Sequence, residues 1–267
     1  MALPFAELVG DPVEHSMSPQ IHRFWLRKLG LKGDYRTVRM TAEQLPSYLE
    51  SRIANPDWRG CNLTMPLKQV AFDLAHEADP STRRIGAINT LFRDRHRLVG
   101  TNTDWRAIST VLADRPEIGR AAIVGTGGAA RAALEALRRR KVGHLILISR
   151  SQAKARRLLQ QFELAGEVMP LGGAPAVDLL INASPLGMTG HDELPIDLSN
   201  LPPESIVFDC VYSPLATGLL EAARDRGLQT IDGLTMLIGQ AALAFACFFG
   251  MTPDPADAAE LRGQLTA

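Results

Sequence analysis

The stretch "AAIVGTGGAARAALEALRRRKVG", residues 121–143, decides the fold. "AAIVG" is a short apolar run of the kind a buried strand makes. "TGGA" is a glycine turn, and "ARAALEALRRRKVG" has helical periodicity, with Leu134 and Leu137 on its apolar face. Arg138 to Lys141 complement the negative end of that helix. Gly125, Gly127 and Ala130 form G-x-G-x-x-A after a strand and at the opening of a helix, the context a dinucleotide-binding turn requires. Gly125 permits the tight turn. Gly127 lets the backbone approach a pyrophosphate, whose charge would lie at the helix N-terminus.

The pattern continues on both sides. "HLILISR" reads as the next strand, "QAKARRLLQQFEL" as the next helix, and "DLLINAS" and "SIVFDCVY" as later strands. Upstream, "PFAELVG", "DYRTVRM" and "GCNLTM" read as strands. They are separated by helices over "SPQIHRFWLRKLG", with Gly30 as the stop, and "AEQLPSYLESRI". Strands alternating with helices imply mostly parallel α/β sheets. The last helix, about Leu234 to Phe249, is apolar nearly all round, so it is expected to be buried and to pack back on the first domain.

The second strand of the glycine unit ends in "ISRSQAK". An acidic residue there would hold the ribose 2′-hydroxyl of NAD. Ser149, Arg150, Ser151 and Lys154 stand there instead. Cations at a helix N-terminus oppose its dipole, and a bound 2′-phosphate would offset that cost, so the expected cofactor is NADP.

Length and composition bound the rest. The chain has 267 residues, enough for two α/β domains, with 46% hydrophobic and 22% charged residues. A formal net charge of +0 shows no footprint for nucleic acid or an anionic membrane, and it is compatible with a monomer or a homodimer. Cys61, Cys210 and Cys247 are scattered, which suggests buried thiols rather than a metal site or a disulfide framework. No basic leader or membrane-length apolar run is evident, so a cytoplasmic protein is expected.

Four polar clusters of the first half, "HSMSP", "NLTMPLK", "GAINT" and "GTNTD", fall at expected strand ends and loops, where open α/β sheets bind ligands. Ser16 and Ser18 offer paired hydroxyls suited to an anionic or polyhydroxyl group. Ser18 also reads as a plain N-cap before Pro19, Asn89 as a turn residue, and Asp104 as a cap before Trp105. In "CNLTMPLKQ", Pro66 ends the ladder and stiffens the turn that presents Lys68.

The chain resembles the shikimate dehydrogenases. The resemblance rests on "GDPVEHSMSP", "NLTMPLK", "GAINTL", "GTNTDW", "GTGGAAR", "SRSQAK", "NASPLGM", "DCVYSPLAT" and "DGLTMLIGQAA", nine matches in consistent order along nearly the whole length. It implies an N-terminal substrate domain over residues 1–104 and a Rossmann-like NADP domain over 105–233. Helices over 234–267 then return to the first domain. It implies reversible reduction of 3-dehydroshikimate to shikimate, with Lys68 and Asp104 as an acid–base pair. Ser16 and Ser18 match holders of the substrate carboxylate. Thr64, Lys68, Asn89, Asp104, Tyr212 and Gln240 match the rest of the substrate pocket. Gly125, Gly127, Gly128, Ala129, Ser149, Arg150, Ser151, Lys154, Val211, Gly233 and Met236 match cofactor positions.

The chain departs from the family at Trp105–Arg106–Ala107, where glycine is common, and at Thr126, Ser149 and Ser151. Quinate or aminoshikimate dehydrogenases of the same family are the nearest alternatives. A non-catalytic NADP- and shikimate-binding sensor is the alternative from another class, and a folate-linked dehydrogenase fits the "NLTMPLK" order poorly.

Overall fold

A computed structural model describes residues 3–266, which divide into two compact units: residues 3–103 with 238–266, and residues 104–237.

The first unit opens with β1 (Phe5–Gly10), α1 (Ser18–Lys28), β2 (Asp34–Arg39), α2 (Leu45–Ile53) and β3 (Trp58–Leu63). There follow α3 (Val70–Leu74), β4 (Glu77–Ala78), α4 (Pro80–Ile85), β5 (Thr90–Asp94) and β6 (Arg97–Thr101). The sheet order is β2-β1-β3-β5-β6-β4. The pairings β1–β2, β1–β3 and β4–β6 are parallel, whereas β3–β5 and β5–β6 are antiparallel. The sequence pattern does not announce the β5–β6 hairpin. Its turn, Arg95–His96, lacks glycine, proline and asparagine, and the strand ends beside it, Asp94 and Arg97, are charged, so neither strand stands out as an apolar run.

Every residue of β1 is buried, including Glu7. A buried carboxylate is costly without partners. Here Arg52 donates to it at 2.9 and 3.1 Å and Trp58 Nε1 at 3.0 Å, and Tyr48 donates its hydroxyl as well.

The helix α5 (Thr103–Val111) leads to the second unit, which contains β7 (Arg120–Val124), α6 (Gly128–Arg139), β8 (His144–Ile148), α7 (Gln152–Gln161) and β9 (Gly166–Met169). It continues with β10 (Gly172–Gly173), β11 (Leu179–Asn182), β12 (Ile196–Asp197), β13 (Ile206–Asp209), α8 (Gly218–Asp225) and β14 (Gln229–Ile231). The strand order β14-β13-β11-β7-β8-β9 is parallel throughout. The chain reverses direction across the sheet beside β7, and that switch point is where such sheets bind dinucleotides. Leu134 and Leu137 of α6 are fully buried, as their periodicity requires.

The chain ends with α9 (Gly233–Phe249) and α10 (Asp257–Thr266). Ala244 and Phe248 of α9 pack with Ala6, Leu8, Val13 and Tyr35, so the apolar helix does return to the first sheet. Lys28 of α1 bridges Asp257 and Glu260 of α10. Cys61 is buried, but Cys210 and Cys247 are only half-buried. Among the described residues, no helix is long and apolar enough to cross a membrane, and no three or more His, Cys, Asp or Glu side chains are grouped so that they could hold a metal ion.

Candidate active site

In the first unit the chain after β3 folds into a tight turn. Leu67 donates its N–H to the Thr64 carbonyl at 2.8 Å, and Thr64 donates to Val9 at 3.0 Å. The Met65–Pro66 peptide is cis. Lys68 follows at once, half-buried, and its carbonyl accepts from Ile88 N–H at 2.7 Å. That bond ties the Lys68 turn to the segment carrying Asn89.

Asn89 is 2% exposed and lies at a bend that leads directly into β5. Its Oδ1 accepts from Thr103 N–H at 2.7 Å and from the Thr90 hydroxyl at 3.1 Å. Its Nδ2 donates to the Thr103 hydroxyl at 2.9 Å and to Gln240 Oε1 at 3.4 Å. The structure therefore joins Asn89 to Gln240, which lies on α9. Gln240 Oε1 also accepts from the Thr103 hydroxyl at 3.3 Å, so one amide oxygen meets both Asn89 and Thr103.

Ser16 and Ser18 are also together, Oγ to Oγ at 3.2 Å, and Ser18 N–H donates to Ser16 Oγ at 3.2 Å. The reading of Ser18 as an N-cap is corrected. The helix α1 begins at Ser18 itself, with Met17 at the cap position and no side-chain capping bond. Ser18 lies one residue too far along, so its hydroxyl pairs with Ser16 instead. The cap reading of Asp104 is corrected in the same way: α5 begins at Thr103 and Asp104 sits in its first turn, 4% exposed. A carboxylate in the first turn is favoured by the helix dipole.

In the second unit, Gly125 has φ +112, and an added Cβ would lie 2.9 Å from the Ala183 carbonyl oxygen, so only glycine fits. Its N–H donates to the Ile148 carbonyl at 2.9 Å, which joins the glycine turn to the end of β8. Gly127 is exposed and caps α6 in an extended conformation, with no heavy atom within 4 Å of where its Cβ would be. Gly128 and Ala129 form the first turn of α6. This open space against a helix N-terminus fits a pyrophosphate.

Beyond β8, Ser151 caps α7 by accepting from Lys154 N–H, and Ser149 Oγ accepts from Ser151 N–H at 3.1 Å. The two hydroxyls shape the turn, and they leave Arg150 and Lys154 exposed beside the helix start. These residues fit a 2′-phosphate better than a bare 2′-hydroxyl.

Val211 and Tyr212 follow β13. Asp209 fixes this segment, accepting from Val211 N–H at 3.0 Å, the Thr217 hydroxyl at 2.7 Å and Asn182 Nδ2 at 2.9 Å. Burial raises the Asp209 carboxyl above its ordinary range, against those three hydrogen bonds. An added Cβ on Gly233 would lie 2.4 Å from the Val211 carbonyl oxygen, so glycine there lets α9 start directly against this backbone. Met236 lies one turn on, 7% exposed.

Trp105, the departure beside Asp104, packs away from the glycine turn. Its ring carries Arg106 and Arg139 guanidiniums at 5.3 and 5.0 Å, and Arg139 closes the opposite end of α6.

The residues expected from sequence thus form two groups. Ser16, Ser18, Thr64, Lys68, Asn89 and Gln240 belong to the first unit. Asp104, Tyr212, Val211, Gly233, Met236 and the glycine turn belong to the second. Sequence reasoning misses the supports: Asn62, Thr90 and Thr103 in one unit, Asn182, Asp209 and Thr217 in the other. All six are buried polar residues, and each lies within or beside a motif already singled out.

Residues 8–91 match the shikimate dehydrogenase substrate binding domain, and residues 233–260 match the shikimate 5′-dehydrogenase C-terminal domain. The shikimate dehydrogenase (NADP(+)) of Sphingopyxis alaskensis is 52% identical, across 100% of this chain and 98% of its own. Shikimate 5-dehydrogenase from Thermus thermophilus, solved in complex with NADP(H) and shikimate, has a TM-score of 0.88 at 35% identity, covering 97% of this chain and 98% of its own. Quinate dehydrogenase from Corynebacterium glutamicum, in complex with NAD, has a TM-score of 0.86 at 27% identity, with 98% of each chain covered. With likeness of this extent over its whole length, the chain belongs to the shikimate dehydrogenase family.

Proposed function

We propose that the chain reversibly reduces 3-dehydroshikimate to shikimate with NADPH. The observation that carries this reading is 52% identity, along the full chain, to a shikimate dehydrogenase that uses NADP(+). The polar cluster of the first unit supports it, because paired hydroxyls and buried amides suit a small acid with ring hydroxyls.

Ser16 and Ser18 bind the carboxylate. Thr64, Asn89, Asp104, Tyr212 and Gln240 hold the ring hydroxyls. Gly125, Gly127, Gly128 and Ala129 receive the pyrophosphate, and Ser149, Arg150, Ser151 and Lys154 receive the 2′-phosphate. Val211, Gly233 and Met236 border the nicotinamide. When bound, NADPH supplies the hydride. Lys68, as an ammonium, stabilises the negative charge that develops on the ketone oxygen and donates the proton that completes the hydroxyl. In the oxidative direction the neutral amine takes that proton back. Asp104 is the second member of the pair. A cytoplasmic enzyme, monomeric or homodimeric, is the form this reading takes.

The test is the absorbance of NADPH during incubation with 3-dehydroshikimate, with the reverse reaction run on shikimate and on quinate, each with NADP and NAD. Turnover is expected to be fastest with shikimate and NADP. Absence of NADPH oxidation with 3-dehydroshikimate refutes the enzyme reading and leaves a ligand sensor. A preference for quinate moves the chain to that branch of the family.

A further inference from the structure

We propose that Tyr35 is a positioning residue for this reaction: its hydroxyl, acting through Asn62, holds the Asn89 end of the substrate cluster in register with the Lys68 turn. The inference rests on the shikimate dehydrogenase reading.

Tyr35 lies in β2 and is fully buried, and its hydroxyl donates to Asn62 Oδ1 at 2.7 Å. Asn62 sits in β3, two residues before Thr64 and six before Lys68. Its Nδ2 donates to the Asn89 carbonyl at 3.2 Å and to the Thr90 hydroxyl at 3.0 Å, and that hydroxyl passes on to Asn89 Oδ1 at 3.1 Å. One side-chain amide thus ties the strand running into Lys68 to the strand leaving Asn89. Leu63 N–H to the Asn89 carbonyl at 2.8 Å and Ile88 N–H to the Lys68 carbonyl are the backbone stitches beside it.

Both N–H groups of Asn62 are spent on Asn89 and Thr90, so the orientation of the amide decides the position of Asn89. The Tyr35 hydroxyl is the donor that satisfies the other end. Without it, a buried carbonyl oxygen has no partner, and buried networks with one unmet member lose their single arrangement.

The tyrosine is itself held rigidly. His22 stacks on its ring with centroids 3.9 Å apart and planes 4° apart, and Phe248 covers it at 6.5 Å. The His22 ring is uncharged near neutral pH, because burial pushes its pKa down to about 3. Phe245, on the same helix as Gln240, stacks on His22 at 5.8 Å. The aromatic group therefore braces the Asn89–Gln240 contact from both of its ends.

Tyr35→Phe removes a single oxygen and keeps the ring. Turnover of 3-dehydroshikimate is expected to fall about 10-fold, in the range that small misplacement of reacting groups produces, with the Kd of NADPH unchanged within about twofold. In an Asn89→Ala background the same substitution should produce no further fall, because the group it positions is gone. Asn62→Ala should reproduce the loss. A fall of equal size in both backgrounds overturns the proposal in favour of a general structural effect. So does a Tyr35→Phe enzyme within twofold of wild type. A wild-type protein that turns over normally beside an unaffected variant sinks this inference alone, and an inactive wild-type protein sinks the functional reading with it.

Discussion

Lowering the pH from 7 to 5 should cost this protein about 2 kcal/mol of stability through one side chain, His22. The imidazole is fully buried among Tyr35, Trp25, Phe245 and Phe248, and neither ring nitrogen has a hydrogen-bond partner. Burial pushes its pKa down from 6.5 to about 3. Between those two values the unfolded chain takes up a proton that the folded chain refuses. Stability is therefore complete above the unfolded pKa and is lost as the pH falls below it, by at most about 1.4 kcal/mol per pH unit. At pH 7 little of the loss is present, and at pH 5 about 2 kcal/mol of it is. His22→Phe keeps a flat ring against Tyr35 but cannot titrate. Overpacking by the larger ring costs roughly 1–3 kcal/mol at every pH, and His22→Leu serves as a smaller second variant. Carboxylates elsewhere titrate in all three proteins and cancel in the difference. Urea denaturation at pH 7, 6 and 5 is the assay, followed by tryptophan fluorescence, to which the buried Trp25 and Trp58 contribute. Wild type should lose about 2 kcal/mol more than either variant between pH 7 and 5. Parallel profiles for all three would mean that the ring is not held neutral, and the account of the aromatic group would fail.

Lys68→Met should lower turnover by about 10²-fold or more, the general acid–base range, while calorimetry finds shikimate affinity little changed; near-normal turnover would make Lys68 structural. Arg150→Ala should raise the Kd of NADPH far more than that of NADH, and an equal change for both would remove the 2′-phosphate assignment. Gly125→Ala should cost about 2 kcal/mol or more in thermal or urea unfolding, because the Ala183 backbone blocks its Cβ and φ is positive; a variant as stable as wild type contradicts that geometry.

Much of the fold is legible because its signals are local. Gly125 and Gly127 between an apolar run and a helical pattern specify a turn that few other residues permit. Gly30 ends α1 as expected, donating its N–H to the Arg27 carbonyl just past the last turn. The even apolarity of α9 foretells its burial. The β5–β6 hairpin is illegible because its turn is built from Arg95 and His96, and Arg95 adopts a positive φ with no glycine to announce it. The cap readings of Ser18 and Asp104 fail for a related reason. A cap differs from a first-turn residue by one position, and helix pattern alone does not resolve one residue. The error is small, since neither side chain leaves the region to which its motif assigns it.

Readable from the sequence alone are the alternation of strands and helices, the glycine turn, the absence of an acid after β8, and a lysine two residues beyond a proline. Each follows from backbone restrictions or electrostatics that act within a few residues. Which buried polar groups pair with one another is settled only in the tertiary structure. Asn89 meets Gln240 across 151 positions, and Asn62 meets Tyr35 across 27. Such pairs form because burial leaves a polar atom no water to bond, so it must take the partner that strand order brings to it. Sequence can propose the residues of such a site. The topology of the sheet, which no short window contains, assigns them their partners.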